Sequence, residues 1–276
     1  MNALMKNKRG VIMGVANKNS IAWGIAKNLK EQGAEIILTY QNDMMKKRVQ
    51  PLAEELGSPT VVECDVSREG GIQETFDVVK KIWDSIDFVV HAIAFSDKDQ
   101  LKGRCVDTTR DNFQNSMLVS CYSFIETCAK ASALMKEGGS LLTLSYYGAE
   151  KVMPNYNIMG VAKAALEASV RYAATDLGKD NIRVNAISAG PIRTLAAAGI
   201  GDFRYILKWN ELNAPLRRNI SIDEVGKSAT YLLSDLSTGI SGEVHHVDCG
   251  YHSIGMKAVD APDIATVMSD ASKPTK

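Results

Sequence analysis

Residues 10–24 read GVIMGVANKNSIAWG, and the fold turns on them. A short apolar run (10–13) stops at Gly14, and after Ser20 a helical pattern occupies residues 21–32. A strand that passes through a glycine turn into a helix opens a parallel α/β sheet. Working outward, apolar, β-branched runs recur at residues 35–39, 60–63, 86–90, 140–144, 183–187 and 243–247. Helical patterns alternate with them at 44–56, 71–84, 111–136, 157–177 and 222–233. This alternation needs right-handed crossovers, so it predicts one doubly wound α/β domain over residues 1–276. Its sheet should have seven parallel strands, with helices on both faces.

The chain has 276 residues, 45% of them hydrophobic, enough to bury a full core. Lys plus Arg and Asp plus Glu both number 32, so no basic excess points to nucleic acid. The cysteines (64, 105, 121, 128 and 249) are odd in number and form no CxxC pair, which fits reduced thiols. The N-terminal MNALMKNKRGVIMG lacks the apolar stretch of a signal peptide, and no run approaches the roughly 18 apolar residues of a membrane span. A soluble, cytoplasmic protein is therefore expected. His91, His245, His246 and His252 lack metal-ligand spacing with the cysteines, and no metal site is expected.

In the first turn, Gly14 permits a tight bend, and Ser20 is placed to cap the helix while its open N–H groups face a pyrophosphate. The stretch departs from G-x-G-x-x-G, since Ala16 holds the second glycine position. An ordinary glycine turn fits the same residues. The second strand ends in Thr39-Tyr40-Gln41-Asn42, where Gln41 offers a ribose hydrogen bond but no charge for a 2′-phosphate. NADH is thus favoured over NADPH, with Lys46, Lys47 and Arg48 read as a solvated helix face. Asp65 and Val66 close the third strand, either facing an adenine or making a helix-capping turn. After the fourth strand, small residues around Ile93 leave room for a cofactor.

The second informative stretch is residues 145–163, SYYGAEKVMPNYNIMGVAK. Tyr156 and Lys163 are seven apart at the start of an alanine-rich helix, so they share one face about 10 Å apart along the axis. A phenol and an ammonium so arranged suit a donor to a developing oxyanion beside a cation that anchors a second molecule. The same spacing also fits two side chains that merely decorate a helix.

With these motifs the chain resembles the short-chain dehydrogenase/reductase superfamily (Rossmann-type), and more narrowly the bacterial enoyl-[acyl-carrier-protein] reductases. The resemblance rests on the 14–24 turn, TYQND at 39–43, CDV at 64–66, LTLSY at 142–146, PNYN at 154–157, Lys163, NAISAGPIRTL at 185–195 and ISGEV at 240–244. It spans about residues 5–255. Carbonyl-reducing members carry Ser-x12-Tyr-x3-Lys; counted back from Lys163, those slots hold Tyr146 and Met159. The phenol stands one turn earlier, at Tyr156, a shift of about 4.5 Å along the helix.

The resemblance implies NADH-dependent reduction of the C2=C3 double bond of a trans-2-enoyl-[acyl-carrier-protein]. It gives Tyr156 the enolate oxygen and Lys163 the nicotinamide ribose, with Tyr146 either at the thioester or as an aromatic wall. The cofactor would be held by Gly14, Ala16, Ser20, Ile21, Gln41, Asp65, Val66, Ile93, Lys163, Ile192 and Thr194. Ser96, Tyr146, Tyr156, Met159, Ile200 and Phe203 would line the substrate site. Residues 193–214 are read as a lid over the acyl chain or, equally, as a permanently packed helix. Arg193, Arg204, Lys208, Arg217 and Arg218 against Asp202 and Glu211 form a local basic excess suited to an acidic carrier protein or to plain solvation. Relatives are commonly homotetramers, and a C-terminal strand with Ile240 and Val244 is compatible with an interface. Residues 256–276 are expected to be loosely ordered. Met13, Ala94 and Cys249 depart from the family pattern, in which Thr, Gly and Gly are usual. The rival activities are 3-oxoacyl thioester reduction and non-catalytic NAD sensing.

Overall fold

The computed structural model describes residues 3–270. Seven parallel strands form one sheet in the order β3-β2-β1-β4-β5-β6-β7. They are β1 (Arg9–Met13), β2 (Glu35–Tyr40), β3 (Val61–Glu63), β4 (Phe88–His91), β5 (Gly139–Ser145), β6 (Ile182–Ala189) and β7 (Val244–Val247). Helices α1 (Ile21–Glu31), α2 (Asp43–Glu55) and α8 (Ile222–Leu233) cover one face, packing Ile25, Leu29, Leu52 and Leu232 onto it. The other face carries α3 (Gly71–Ile82), α5 (Ser123–Ser132) and α6 (Asn157–Leu177) through Phe76, Phe124, Leu166 and Val170. Strands sandwiched between two helix layers are apolar on both sides, which is why β1 and β4 read as continuous hydrophobic runs.

The helix expected over residues 111–136 is not continuous. It consists of α4 (Arg110–Met117), a π turn at Leu118–Tyr122, and α5. Buried hydroxyls account for the break, because they compete with the regular ladder. Ser123 Oγ donates to the Val119 carbonyl at 2.7 Å, and Ser120 Oγ donates to the Phe95 carbonyl at 3.1 Å. The turn thereby ties this helix to the loop that follows β4.

Beyond β6 lie α7 (Phe203–Asn213) and, after β7, α9 (Ile264–Asp270). The segment expected to be loosely ordered (256–276) thus includes a helix, and Arg217 pairs with Asp260 at 2.7 Å just before it; residues 271–276 lie outside the described residues. Cys249 adopts φ +60° while buried in the first core, a backbone region that disfavours any side chain and explains why glycine is usual there. All five cysteines are free. Among the described residues, no helix is long and apolar enough to cross a membrane.

Candidate active site

Because every strand is parallel, the turns after β1, β2, β3, β4, β5 and β6 open on one edge of the sheet. Strand order reverses between β1 and β4, and open α/β sheets hold ligands in the crevice outside such a reversal.

The turn after β1 is built by backbone. Gly14 has φ +98°, and a Cβ there would sit 2.0 Å from the Ala92 carbonyl oxygen of the turn after β4, so only glycine fits. Ser20 occupies the N-cap position of α1, but the expected side-chain cap is not made. Its Oγ instead accepts from Ala16 N at 3.0 Å and Asn17 N at 3.1 Å. The hydroxyl therefore pins the loop and leaves α1 without a side-chain cap; Trp23 N–H is taken by the Ser20 carbonyl at 3.0 Å, while the Ile21 and Ala22 N–H groups open the helix.

On the β2–β3 side, Gln41 Nε2 donates to Asp65 Oδ1 at 3.4 Å. Asp65 also accepts from the Ser67 amide at 3.0 Å and hydroxyl at 2.6 Å. Burial pushes the Asp65 carboxyl up, but the Ser67 bonds and Gln41 outweigh it and hold it below the usual carboxylate range. Its local role is thus the turn that precedes α3, with Val66 buried beside it. Lys46, Lys47 and Arg48 are exposed.

The turn after β5 is built by side chains. Tyr156 is the residue immediately before α6, flanked by Asn155 (φ +55°) and Asn157 (φ +35°). Asparagine tolerates that left-handed backbone better than most residues. The tyrosine ring is buried and meets Tyr146 edge-on, centroids 5.1 Å apart at 77°. Gly148 makes room for it, since a Cβ there would lie 2.4 Å from Tyr156 Cδ1. Met159, Ile158, Ala162 and Leu101 enclose the phenol, and Ile200 packs against this cluster. Burial, then Tyr146 and Glu167, raise the Tyr156 hydroxyl well above its ordinary value, which keeps it a proton-bearing donor. Tyr146 is raised likewise by burial and by Tyr251, and its buried Oη has no hydrogen-bond partner among the described residues.

Lys163 is buried on the same helix, with Nζ donating to the Leu144 carbonyl at 2.7 Å. Burial brings its ammonium down to about 8, while Glu167 and Cys121 pull the other way. Burial and the Lys163 charge push His91 down to about 3, so its ring is neutral between Thr143 and Ser123.

Tyr146, Tyr156, Met159 and Ile200 thus share one cluster, and Lys163 follows Met159 one turn further along α6. The Ser96 hydroxyl is tied to Ser116 at 2.9 Å and Asn112 at 3.3 Å. Ile93 and Ile192 are half-buried against the two cores. Thr194 Oγ1 accepts from Ala197 N at 3.1 Å. Phe203 lines a 580 Å³ cavity with Thr194, Ala198, Leu207, Arg193 and Arg204. A second cavity of 240 Å³ is lined by Arg193, Arg204, Lys208 and Glu211 together with Val267 and Met268 of α9. Within the basic excess, Lys208 pairs with Glu211, Arg217 with Asp260 and Arg218 with Glu224.

Three residues escaped the sequence reading. Asn155 Nδ2 donates to Gly201 O at 3.1 Å and Asp202 Oδ2 at 3.0 Å, while Asn157 Nδ2 donates to Gly103 O at 3.3 Å. They fasten the Tyr156 turn to both neighbouring loops. The third is Glu167, buried one turn beyond Lys163 and bonded to Ser145 Oγ; the i,i+4 Lys–Glu spacing was its only signal.

The family model described as enoyl-(acyl carrier protein) reductase matches residues 14–252. Enoyl-[acyl-carrier-protein] reductase [NADH] 1 of Rhizobium meliloti is 68% identical over 96% of this chain and 97% of its own length. The [NADH] FabI protein of Rickettsia felis is 56% identical over 91% of this chain and 97% of its own. Among solved structures, the Anaplasma phagocytophilum reductase in complex with NAD has a TM-score of 0.91 at 62% identity, covering 94% of this chain and 99% of that one. The Bacillus cereus enzyme with NADP+ and an indole naphthyridinone has a TM-score of 0.90 at 49% identity, covering 92% and 99%.

Proposed function

This chain belongs to the enoyl-[acyl-carrier-protein] reductase family, and from that premise we infer how its own residues carry the reaction. The activity is NADH-dependent reduction of the C2=C3 double bond of trans-2-enoyl-[acyl-carrier-protein], a step of fatty acid elongation.

The Gly14 cradle, the Ser20-pinned loop and the uncapped start of α1 fit a dinucleotide pyrophosphate. Ala16, Ser20 and Ile21 hold that end, Gln41, Asp65 and Val66 the adenosine, and Ile93, Ile192, Thr194 and Lys163 the nicotinamide riboside. When bound, NADH supplies the hydride that adds to C3. Charge then collects on the thioester oxygen, where Tyr156 Oη donates a hydrogen bond worth several kcal/mol when water is excluded. Lys163 holds the ribose hydroxyls, and its charge favours the enolate until C2 is protonated. Tyr146 Oη, buried and without a partner, fits a second donor to the thioester; Met159, Ser96, Ile200 and Phe203 line the acyl path.

The observation that carries this reading is the register: the slot four before Lys163 holds buried Met159, and the buried phenol lies one turn earlier. In ketone reduction the oxygen is on the carbon that accepts hydride, whereas in an enoyl thioester it lies two carbons further on. The displaced phenol follows the displaced oxyanion. NADH absorbance with a short trans-2-enoyl thioester and, separately, a 3-oxoacyl thioester tests it. Consumption with the first alone is expected; consumption with the second alone refutes the assignment.

Residues 193–214 act as the lid, a reading supported by the two adjoining cavities that Arg193, Arg204 and Leu207 line in common. Arg193, Arg204 and Lys208 receive the acidic carrier protein. Charge reversal at Arg204 and Lys208 should raise KM for a carrier-linked substrate and leave a short free thioester unaffected; unchanged KM for both removes the idea. The protein works as a cytoplasmic homotetramer, a reading supported by exposed Tyr122 on the π turn, Ile125 on α5 and Tyr172 on α6.

A further inference from the structure

Lys163 and Glu167 lie one turn apart on α6, about 6 Å along the axis, and both reach the last residues of β5. Lys163 Nζ donates to the Leu144 carbonyl at 2.7 Å, and the Glu167 carboxylate takes the hydroxyl of the next residue, Ser145. Tyr146 follows directly. Both charged side chains are buried, 6% and 7% exposed, and a buried charge persists only when paired or hydrogen-bonded.

We propose that Glu167 is a positioning residue: it keeps the Lys163 ammonium charged and, through Ser145, fixes the strand end that presents Tyr146. The proposal rests on reading Lys163 as the ribose-holding cation.

The groups that face this pair leave Glu167 as the anion available to Lys163. Glu167, one turn on along the same helix, makes no direct ion pair with Lys163 and acts on its ammonium through space; the π turn brings Cys121, β4 the neutral His91 and β5 the Leu144 carbonyl. Glu167 in turn faces Ser145 of β5, Glu150 of the following turn, His246 of β7 and Arg171 on α6. Burial pushes its carboxyl upward and Glu150 adds to that, while the Ser145 hydroxyl, His246 and Arg171 oppose them. His246 Nε2 bonds Glu150 at 2.7 Å, which draws the Glu150 charge toward β7. Without Glu167 the ammonium, already down to about 8, would lose its proton at still lower pH.

The test is NADH affinity, read from nicotinamide fluorescence between pH 5.5 and 9.5, for wild type and Glu167→Gln. Glutamine can still accept from Ser145 but carries no charge. Wild-type affinity should fall as pH rises through about 8, and in Glu167→Gln the midpoint should move about one unit lower. The variant then binds several-fold more weakly at pH 7.5 and like wild type at pH 6. An unmoved midpoint, or equal weakening at every pH, overturns the proposal. Ser145→Ala, which loosens the carboxylate without removing it, should shift the midpoint in the same direction by less, and serves if Glu167→Gln does not fold; an unmoved midpoint there overturns the proposal as well. Wild-type affinity that is flat with pH, and equal in Lys163→Met, refutes the Lys163 reading and the proposal together.

Discussion

The turns after β1 and β5 open on the same edge of the sheet, yet they are made in opposite ways. After β1 the useful surface is backbone, and the residues matter for what they lack: Gly14 has no Cβ to strike the Ala92 carbonyl, and Ser20 turns its hydroxyl into the loop. After β5 the backbone is strained at Asn155 and Asn157, and the useful groups are side chains held in an apolar shell. The first design suits a polyanion, which many N–H dipoles can share. The second suits a single developing charge, which needs one donor at one place.

Substitutions separate the two designs. Gly14→Val should be the most damaging, since its Cβ meets a carbonyl carbon and oxygen at a positive φ. A loss above about 4 kcal/mol, or no soluble protein, is expected in denaturant unfolding. A folded variant with wild-type NADH affinity would break the contrast at the β1 turn. Ser20→Ala removes the acceptor of two loop N–H groups and should lower stability by about 1–2 kcal/mol. NADH affinity should weaken about tenfold in a titration, while the Tyr156 turn is untouched. Tyr146→Phe should have the smallest effect on folding and the opposite sign. Its hydroxyl is buried without a partner, so deleting it should stabilise the fold by about 1 kcal/mol while turnover falls. Denaturant midpoint and kcat, measured together, check both halves.

How far these designs were legible follows from the same contrast. The inner strands stood out because burial on both faces makes them largely apolar runs, and α6 and α8 begin and end where their periodicity does. Tyr156 and Lys163 were legible because their chemistry is in the side chain and their spacing is helical. Ser20 was placed correctly and its bond was not, since the choice between its own helix and the loop is made by tertiary geometry. The π turn at Leu118–Tyr122 was hidden for a related reason: serines inside a helical pattern do not announce which carbonyl they will take. Asn155 and Asn157 stood out only as part of PNYN, and their amides bind loops some 50 residues away. Phe203 was legible as an apolar residue on α7, but the cavity it shares with Thr194, Ala198 and Leu207 depends on how α7 packs, which no spacing announces.

The central claim is that reaction type follows the position of the phenol on α6. The double variant Tyr156→Phe, Met159→Tyr, assayed with saturating NADH, tests it most directly. Enoyl thioester reduction should fall about 100-fold while NADH affinity stays near wild type. Undiminished enoyl reduction by a protein whose only phenol on that helix face stands four residues before Lys163 would contradict it.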